Sequence, residues 1–157
     1  MYSGLGDKKV IQWFRRNFQE LTVEELYEIL RLRSEIFVVE QDCVYQDLDR
    51  KDKKSILIYG VEDGEIVATL RVIPAGVSYD VPSIGRLVVK ESHRRRGYAR
   101  TMMLQAIDII RNEFQGERIR ISGQAYVKNF YESLGFRIVT EIYLEDGIEH
   151  YGFELVL

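Results

Sequence analysis

The run Arg94-Arg95-Arg96-Gly97-Tyr98-Ala99 carries the densest chemistry in the chain. Its spacing is Arg-x-x-Gly-x-Ala. It lies between a strand-like run, Ile84 to Val89, and an amphipathic pattern through Ala99, Met102, Met103, Ala106, Ile107, Ile110 and Phe114. A helix start presents main-chain N–H groups without intrahelical partners, at the positive end of the helix dipole. Small residues at 97 and 99 let a phosphate approach the backbone, and the arginines add charged, bidentate donors. An exposed basic helix start or an arginine-rich nucleic-acid patch would give the same letters. A net charge of −3 provides no global attraction to a polyanion, so a specific phosphate site is the better reading and no nucleic-acid partner is expected.

Other residues with chemical potential are scattered. Glu40 ends an apolar helical pattern and opens a polar stretch, 40–54, that holds Tyr45 and the acidic residues Asp42, Asp47, Asp49 and Asp52. A loop of that length and irregularity is a candidate for function, and its acid could attract a cationic amine, although acidic loops are more often only solvated. Glu145, Asp146 and His150 cluster at a final hairpin, where a histidine could relay protons near neutral pH. Cys43 is the only cysteine, which excludes an internal disulfide. With two histidines and no calcium-loop spacing, no metal site is expected.

Local patterns define the elements that must position these groups. Val10 to Phe14 reads as a strand, and Thr22-Val23-Glu24-Glu25 as a capping box opening a helix through Leu26, Ile29, Leu30, Ile36 and Phe37. Ile56 to Val61 and Ile66 to Val72 are β-rich runs joined through Asp63-Gly64, a hairpin signal. After the strand at 84–89 and the long helix come a strand at 118–122 and a short helix ended by Gly135. Two last strands follow, Phe136 to Leu144 and Ile148 to Val156, hinged at Asp146-Gly147. The order β-α-β-β-β-α-β-α-β-β predicts a single mixed α/β (α+β) domain over 1–157, a mostly antiparallel mixed sheet covered by helices, with 1–9 a flexible terminus. No apolar run is long enough to span a membrane and the start lacks a secretory signal, so a cytoplasmic protein without a membrane partner is expected.

The run Leu87-Val88-Val89, four residues, then Arg94 to Ala99 resembles the acyl-CoA-binding motif of the GNAT superfamily of N-acetyltransferases. Gln124 to Phe136, with Tyr131-x-x-x-Gly135-Phe136, resembles that family's closing helix at matching distance. Leu32 to Cys43, Tyr45-Gln46-Asp47 and Tyr143 to His150 are similar to the ElaA-type branch, which extends the likeness from about Ile11 to the C-terminus. The resemblance implies direct transfer of an acetyl group from acetyl-CoA to a primary amine, carried on a small molecule or a peptide. It leaves room for a homodimer. It implies a strand bulge near Leu87 to Val89 and CoA contacts from Leu87, Val88, Val89, Arg94, Arg95, Arg96, Gly97, Tyr98, Ala99, Arg100, Gln124, Phe130 and Tyr131. It also implies Tyr131 as general acid toward the leaving thiolate, with Phe130 doubling as core, and an acceptor beside Glu40, Tyr45, Glu145, Asp146 and His150. A lysine-like amine has a pKa near ~10.4, so presenting it neutral at pH 7 costs roughly 4 to 5 kcal/mol unless a base helps. Glu40 is a candidate for that base.

Three departures stand out: Gln124 where many relatives have Asn, Arg86 where many carry a glutamate, and Lys53-Lys54-Ser55 in place of a histidine-containing stretch. The second removes the usual base. Rival readings are a covalent route through Cys43, an acylhomoserine-lactone-synthase-like reaction suggested by the Leu32-to-Glu40 pattern, and an acyl-CoA-binding module without catalysis. The first lacks an adjacent histidine, and the second lacks a visible S-adenosylmethionine site.

Overall fold

The computed structural model describes residues 10–157. The expected flexible terminus, 1–9, lies outside the described residues. Strands β1 (Gln12–Asn17), β2 (Ile56–Glu62), β3 (Glu65–Ile73) and β4 (Ser83–Val89) form one antiparallel sheet in that order. In the second sheet β8 (Ile148–Val156) pairs with β5 (Arg118–Gln124) on one side, and with β6 (Arg137–Ile138) and β7 (Tyr143–Glu145) on the other. The sequence predicted one strand over 136–144; the chain instead pairs in two short pieces separated by residues 139–142.

Helices cover both faces of the first sheet. Alternate residues of β2 make this possible: Ile56 and Ile58 join the core under α2 (Tyr98–Asn112), while Leu57 and Tyr59 meet Ile29, Leu32 and Ile36 on the other side. Ile29 and Leu32 belong to α1 (Val23–Arg33), which starts at the predicted capping box: Thr22 Oγ1 accepts from Glu25 N–H at 3.0 Å, and Thr22 N–H donates back to Glu25 at 2.9 Å. The second carboxylate oxygen of Glu25 accepts from the Tyr59 hydroxyl, so one side chain caps the helix and ties it to the sheet.

Both Asp-Gly signals make two-residue turns. Asp63 (φ 50°) with Gly64 (φ 73°), and Asp146 (φ 50°) with Gly147 (φ 77°), adopt the paired positive φ that hairpin twist favours.

Two irregularities shape the middle of the molecule. Beyond Arg33 the helix widens into a π-helix, Ser34–Glu40, ending with Gln41 N–H to Ile36 O (3.1 Å) and Cys43 N–H to Val38 O (3.1 Å). In β4 a bulge sets Arg86 and Leu87 against the single residue Leu70 of β3, with Arg86 at φ 53°. It falls at the front edge of the stretch where the resemblance implied one. Strands β4 and β5 begin side by side, joined by Arg120 N–H to Pro82 O at 3.1 Å, but belong to separate sheets. Their far ends border one cavity.

Candidate active site

A cavity of about 900 Å³ runs through this parting. Its wall includes Leu87, Val88 and Val89 of β4, Arg94, Arg95, Gly97, Tyr98, Ala99 and Arg100 of the basic turn and α2, Gln124 at the end of β5, and Phe130 and Tyr131 beyond it. Glu40, Tyr45, Glu145, Asp146 and His150 complete the set. Of the residues expected at the CoA and acceptor sites, Arg96 alone is absent from the wall. Its guanidinium turns to Glu62, 3.2 Å away, on the other side of the turn.

Residues 94–98 form a cradle. Arg95 (φ 64°) and Gly97 (φ 79°) are both left-handed, and α2 starts at Gly97 without a side-chain cap. Its first N–H groups therefore open on the cavity, the arrangement that receives an anion. The cradle rests on Glu62 at the end of β2, a carboxylate only 3% exposed. Glu62 lies 2.6 Å from His93 Nε2, accepts from the Tyr98 hydroxyl at 2.9 Å, and pairs with Arg96. In sequence it is a glutamate before an Asp-Gly turn, indistinguishable from a solvated one.

Arg94 faces Glu40 instead of standing free. Its Nη1 and Nη2 donate to the two Glu40 oxygens at 2.7 and 2.6 Å, and its Nε to Val89 O at 3.0 Å. The Arg94 hydrogen bonds hold the Glu40 carboxyl below its ordinary range, which makes it a weak proton acceptor. This counts against Glu40 as the base.

Three of the four aspartates of the acidic loop, Asp47, Asp49 and Asp52, are paired with arginines and offer no free charge to an amine, while Asp42 is exposed. Asp52 takes a bidentate pair from Arg33 (2.7 and 3.2 Å), Asp49 one from Arg71 (2.7 and 2.6 Å), and Asp47 accepts from Arg33 Nε at 3.0 Å. Arg86, at the bulge, lies 2.8 Å from Asp47, donates to the Asp47 carbonyl at 2.9 Å, and stacks over the Tyr45 ring. Burial would raise the Asp49 pKa, but the hydrogen bonds from Arg71 outweigh it and hold the carboxyl well below the usual range. These aspartates strap the 40–54 segment to β3 and β4. They also hold Arg86 in the conformation that the bulge requires. Burial, together with Asp47, raises the pKa of Tyr45, whose hydroxyl donates to Asp47 at 3.1 Å.

Tyr131 projects from α3 (Lys128–Ser133) into a box of rings, 5.3 Å from Phe130, 6.2 Å from Phe136 and 5.1 Å from Phe153, centroid to centroid. Burial pushes its phenol up to about 12. Among the described residues none hydrogen-bonds its hydroxyl. The ring lies so close over β5 that a Cβ at Gly123 would stand 2.6 Å from Tyr131 Cε2.

On the other side of β5, Gln41 and Gln124 exchange amide hydrogen bonds of 3.3 and 3.4 Å. Ser122 Oγ lies 2.5 Å from the Tyr143 hydroxyl, and His150 Nε2 is 3.3 Å from Glu145. Gln41 and Ser122 were not singled out in the sequence, though each sits within two residues of one that was. Among the described residues no cluster of three or more His, Cys, Asp or Glu could hold a metal, and no helix is long and apolar enough to cross a membrane.

A sheet parted beside a bulged strand, with an uncapped helix start at one end of the gap, is an arrangement this chain shares with solved acyl-CoA N-acyltransferases. The chain belongs to the acetyltransferase (GNAT) family, whose profile it matches over residues 9–136. Within that family it is ElaA-like. It is 36% identical to protein ElaA of Escherichia coli (strain K12) over 145 residues, 91% of this chain and 95% of that one. The crystal structure of E. coli ElaA has TM-score 0.87 at 34% identity, covering 93% of this chain and 99% of that one. An acyl-CoA N-acyltransferase from Pseudomonas aeruginosa gives TM-score 0.87 at 33% identity, over 94% of this chain and all (100%) of that one. A GNAT family acetyltransferase from Elizabethkingia anophelis, solved with acetyl-CoA bound, shares the fold at TM-score 0.63 and 16% identity, over 94% and 98% of the two chains.

Proposed function

We propose that this chain transfers an acetyl group from acetyl-CoA directly to a primary amine. The observation that carries the reading is the continuity of one cavity from the uncapped start of α2, through the parting of β4 and β5, to Glu145 and His150. The acetyl-CoA in the E. anophelis relative supports the choice of donor. The cytoplasm, where acyl-CoA thioesters are made, is the compartment the reading implies.

When bound, the thioester supplies an acyl carbon activated toward an amine. The chain's residues do the rest. Backbone N–H groups at 97–100 hold the pyrophosphate, and Arg95 and Arg100 add charge at the rim. The β4 bulge interrupts the ladder where a main-chain donor is needed for the carbonyl oxygen, the kind of preorganised contact that is costly to lose. Tyr131, whose pKa near 12 keeps it protonated at neutral pH, presents an O–H to the departing sulfur.

Calorimetry with CoA tests the donor site. Gly97→Val forces a β-branched residue to φ 79° and should weaken CoA binding at least tenfold; unchanged affinity in a folded variant removes the site from α2. Single-turnover transfer at saturating acetyl-CoA tests the acid. Tyr131→Phe should slow the chemical step by ~10²–10⁴-fold with thermal stability retained, and native-like transfer would eliminate the role.

A further inference from the structure

We propose that His150 is the proton acceptor that delivers the amine in its neutral, nucleophilic form. The assignment rests on the acyl-transfer reading above and identifies its missing base, since an arginine occupies position 86 and Glu40 is held by Arg94.

Strand alternation puts His150 on the acceptor side of the gap. Position 123 of β5 faces Tyr131 and Phe153, so Ser122 and Gln124 face the opposite way, where Gln124 meets Gln41 at the end of the π-helix. His150 lies directly across from Gln124 in one ladder and from Tyr143 in the other, which places Ser122, Gln124, Tyr143, Glu145 and His150 on one face. Donor-side acid and acceptor-side base thus stand on opposite faces of one strand end.

Local geometry fixes the histidine's tautomer. His150 is buried, at 7% exposure, and its Nδ1 lies 2.7 Å from Ile148 O, a contact only Nδ1–H can satisfy. In the neutral ring Nε2 therefore carries the lone pair, and it borders the cavity 3.3 Å from Glu145. Taking a proton gives both ring nitrogens an acceptor: the carbonyl for Nδ1–H and the carboxylate for the new Nε2–H. Tyr143 stacks on the ring at 6.1 Å and fixes its plane. Glu145, half exposed, connects the site to solvent. The charged and titratable groups that face His150 are Glu145, Tyr143 and Asp146 on its own hairpin. Glu40, Cys43, Tyr45, Arg86 and Arg94 are among the titratable groups that share its cavity wall.

An alkylamine is neutral in only one molecule in ~10³ at pH 7. Nε2 accepts one proton from R–NH3⁺, and the freed lone pair forms the N–C bond. The C–S bond breaks with its electron pair passing to sulfur, which takes the Tyr131 hydroxyl proton. The second N–H proton leaves to water, and solvent restores Tyr131 and, through Glu145, neutral His150.

Two near-isosteric amines test this: 2-phenylethylamine, protonated at pH 7, and O-benzylhydroxylamine, neutral there and in no need of a base. With acetyl-CoA saturating, His150→Gln should lose transfer to 2-phenylethylamine by ~10²-fold or more and keep transfer to O-benzylhydroxylamine within about threefold. Glu145→Gln, at an exposed position, should lose about threefold with the first amine only. Equal losses on both amines, or no loss on either, overturn the role of His150 while leaving acyl transfer intact. Wild-type protein that binds CoA yet releases none with these two amines or with a panel of amino acids, polyamines and peptide amines overturns the transfer reading itself, and this assignment with it.

Discussion

Gly123→Ala is a one-carbon perturbation with a large predicted effect. The added Cβ would lie 2.6 Å from Tyr131 Cε2, 3.1 Å from Tyr131 Cδ2 and 2.9 Å from Phe153 Cε2. Carbon contacts prefer ~3.5–4.0 Å, so the rings must retreat by about 1 Å. Both are rigid, and Phe136 and Phe130 already pack against Tyr131, so no flexible side chain absorbs the shift. Overpacking of this kind costs ~1–3 kcal/mol, and for a domain of this size each kcal/mol moves the Tm by about 2–4 °C. The expected fall is therefore about 2–12 °C. A displacement near 1 Å at a reacting group costs on the order of 10²-fold in rate, so single-turnover transfer should fall further than the loss of folded protein explains. Gly85→Ala is the stability control, since its Cβ would find its nearest neighbour 3.9 Å away. The paired assay is scanning fluorimetry with single-turnover transfer on the same samples. A Gly123→Ala protein with native Tm and native rate would refute both the packing argument and the placement of Tyr131 at the chemistry.

Glu62→Gln removes the charge on which His93, Arg96 and Tyr98 converge, so the cradle loses its anchor. The KM for acetyl-CoA should rise at least tenfold with the acceptor KM unchanged, whereas a purely structural role would lower kcat and Tm without that split. Asp49 predicts an acid limit to stability. Its folded pKa lies below the unfolded value near ~3.9, so its contribution is complete above about pH 4 and is lost as pH falls further. Thermal melts from pH 7 to 2.5 should decline below that point. Asp49→Asn, less stable at pH 7, should decline less steeply, and parallel curves would exclude Asp49 as a source.

Local chemistry was the part of this molecule that could be read from its letters. Thr22 to Glu25 and the two Asp-Gly pairs each satisfy their own backbone within four residues, so nothing distant overrides them. The basic turn was equally plain, because strand, glycine and amphipathic helix follow one another in sequence. What stayed hidden depends on pairs far apart in the chain. Asp47, Asp49 and Asp52 look like a solvated acidic loop until Arg33, Arg71 and Arg86 are brought to them. Arg96 looks like its neighbours until Glu62, from another strand, claims it. The π-helix leaves no mark in the apolar pattern, since a shift from four-residue to five-residue hydrogen bonds alters no letter. The 136–144 segment has strand composition throughout, and only the ladder of β8 reveals that regular pairing stops after Ile138 and resumes at Tyr143, with Val139 N–H and Thr140 Oγ1 still bonded to Gly152 between.

The bidentate contact between Arg94 and Glu40 joins the two ends of the cavity through a single guanidinium. An anion that draws Arg94 toward the α2 cradle leaves Glu40 without its counter-charge, and a cation that takes Glu40 releases Arg94 toward the cradle. Each ligand thus removes a competitor of the other. Under the proposed function, donor and acceptor occupancy would be coupled equilibria, with the same factor enhancing both affinities. A titration of either ligand in the presence of the other measures that factor directly, and it should fall to one when Glu40 is replaced by Gln.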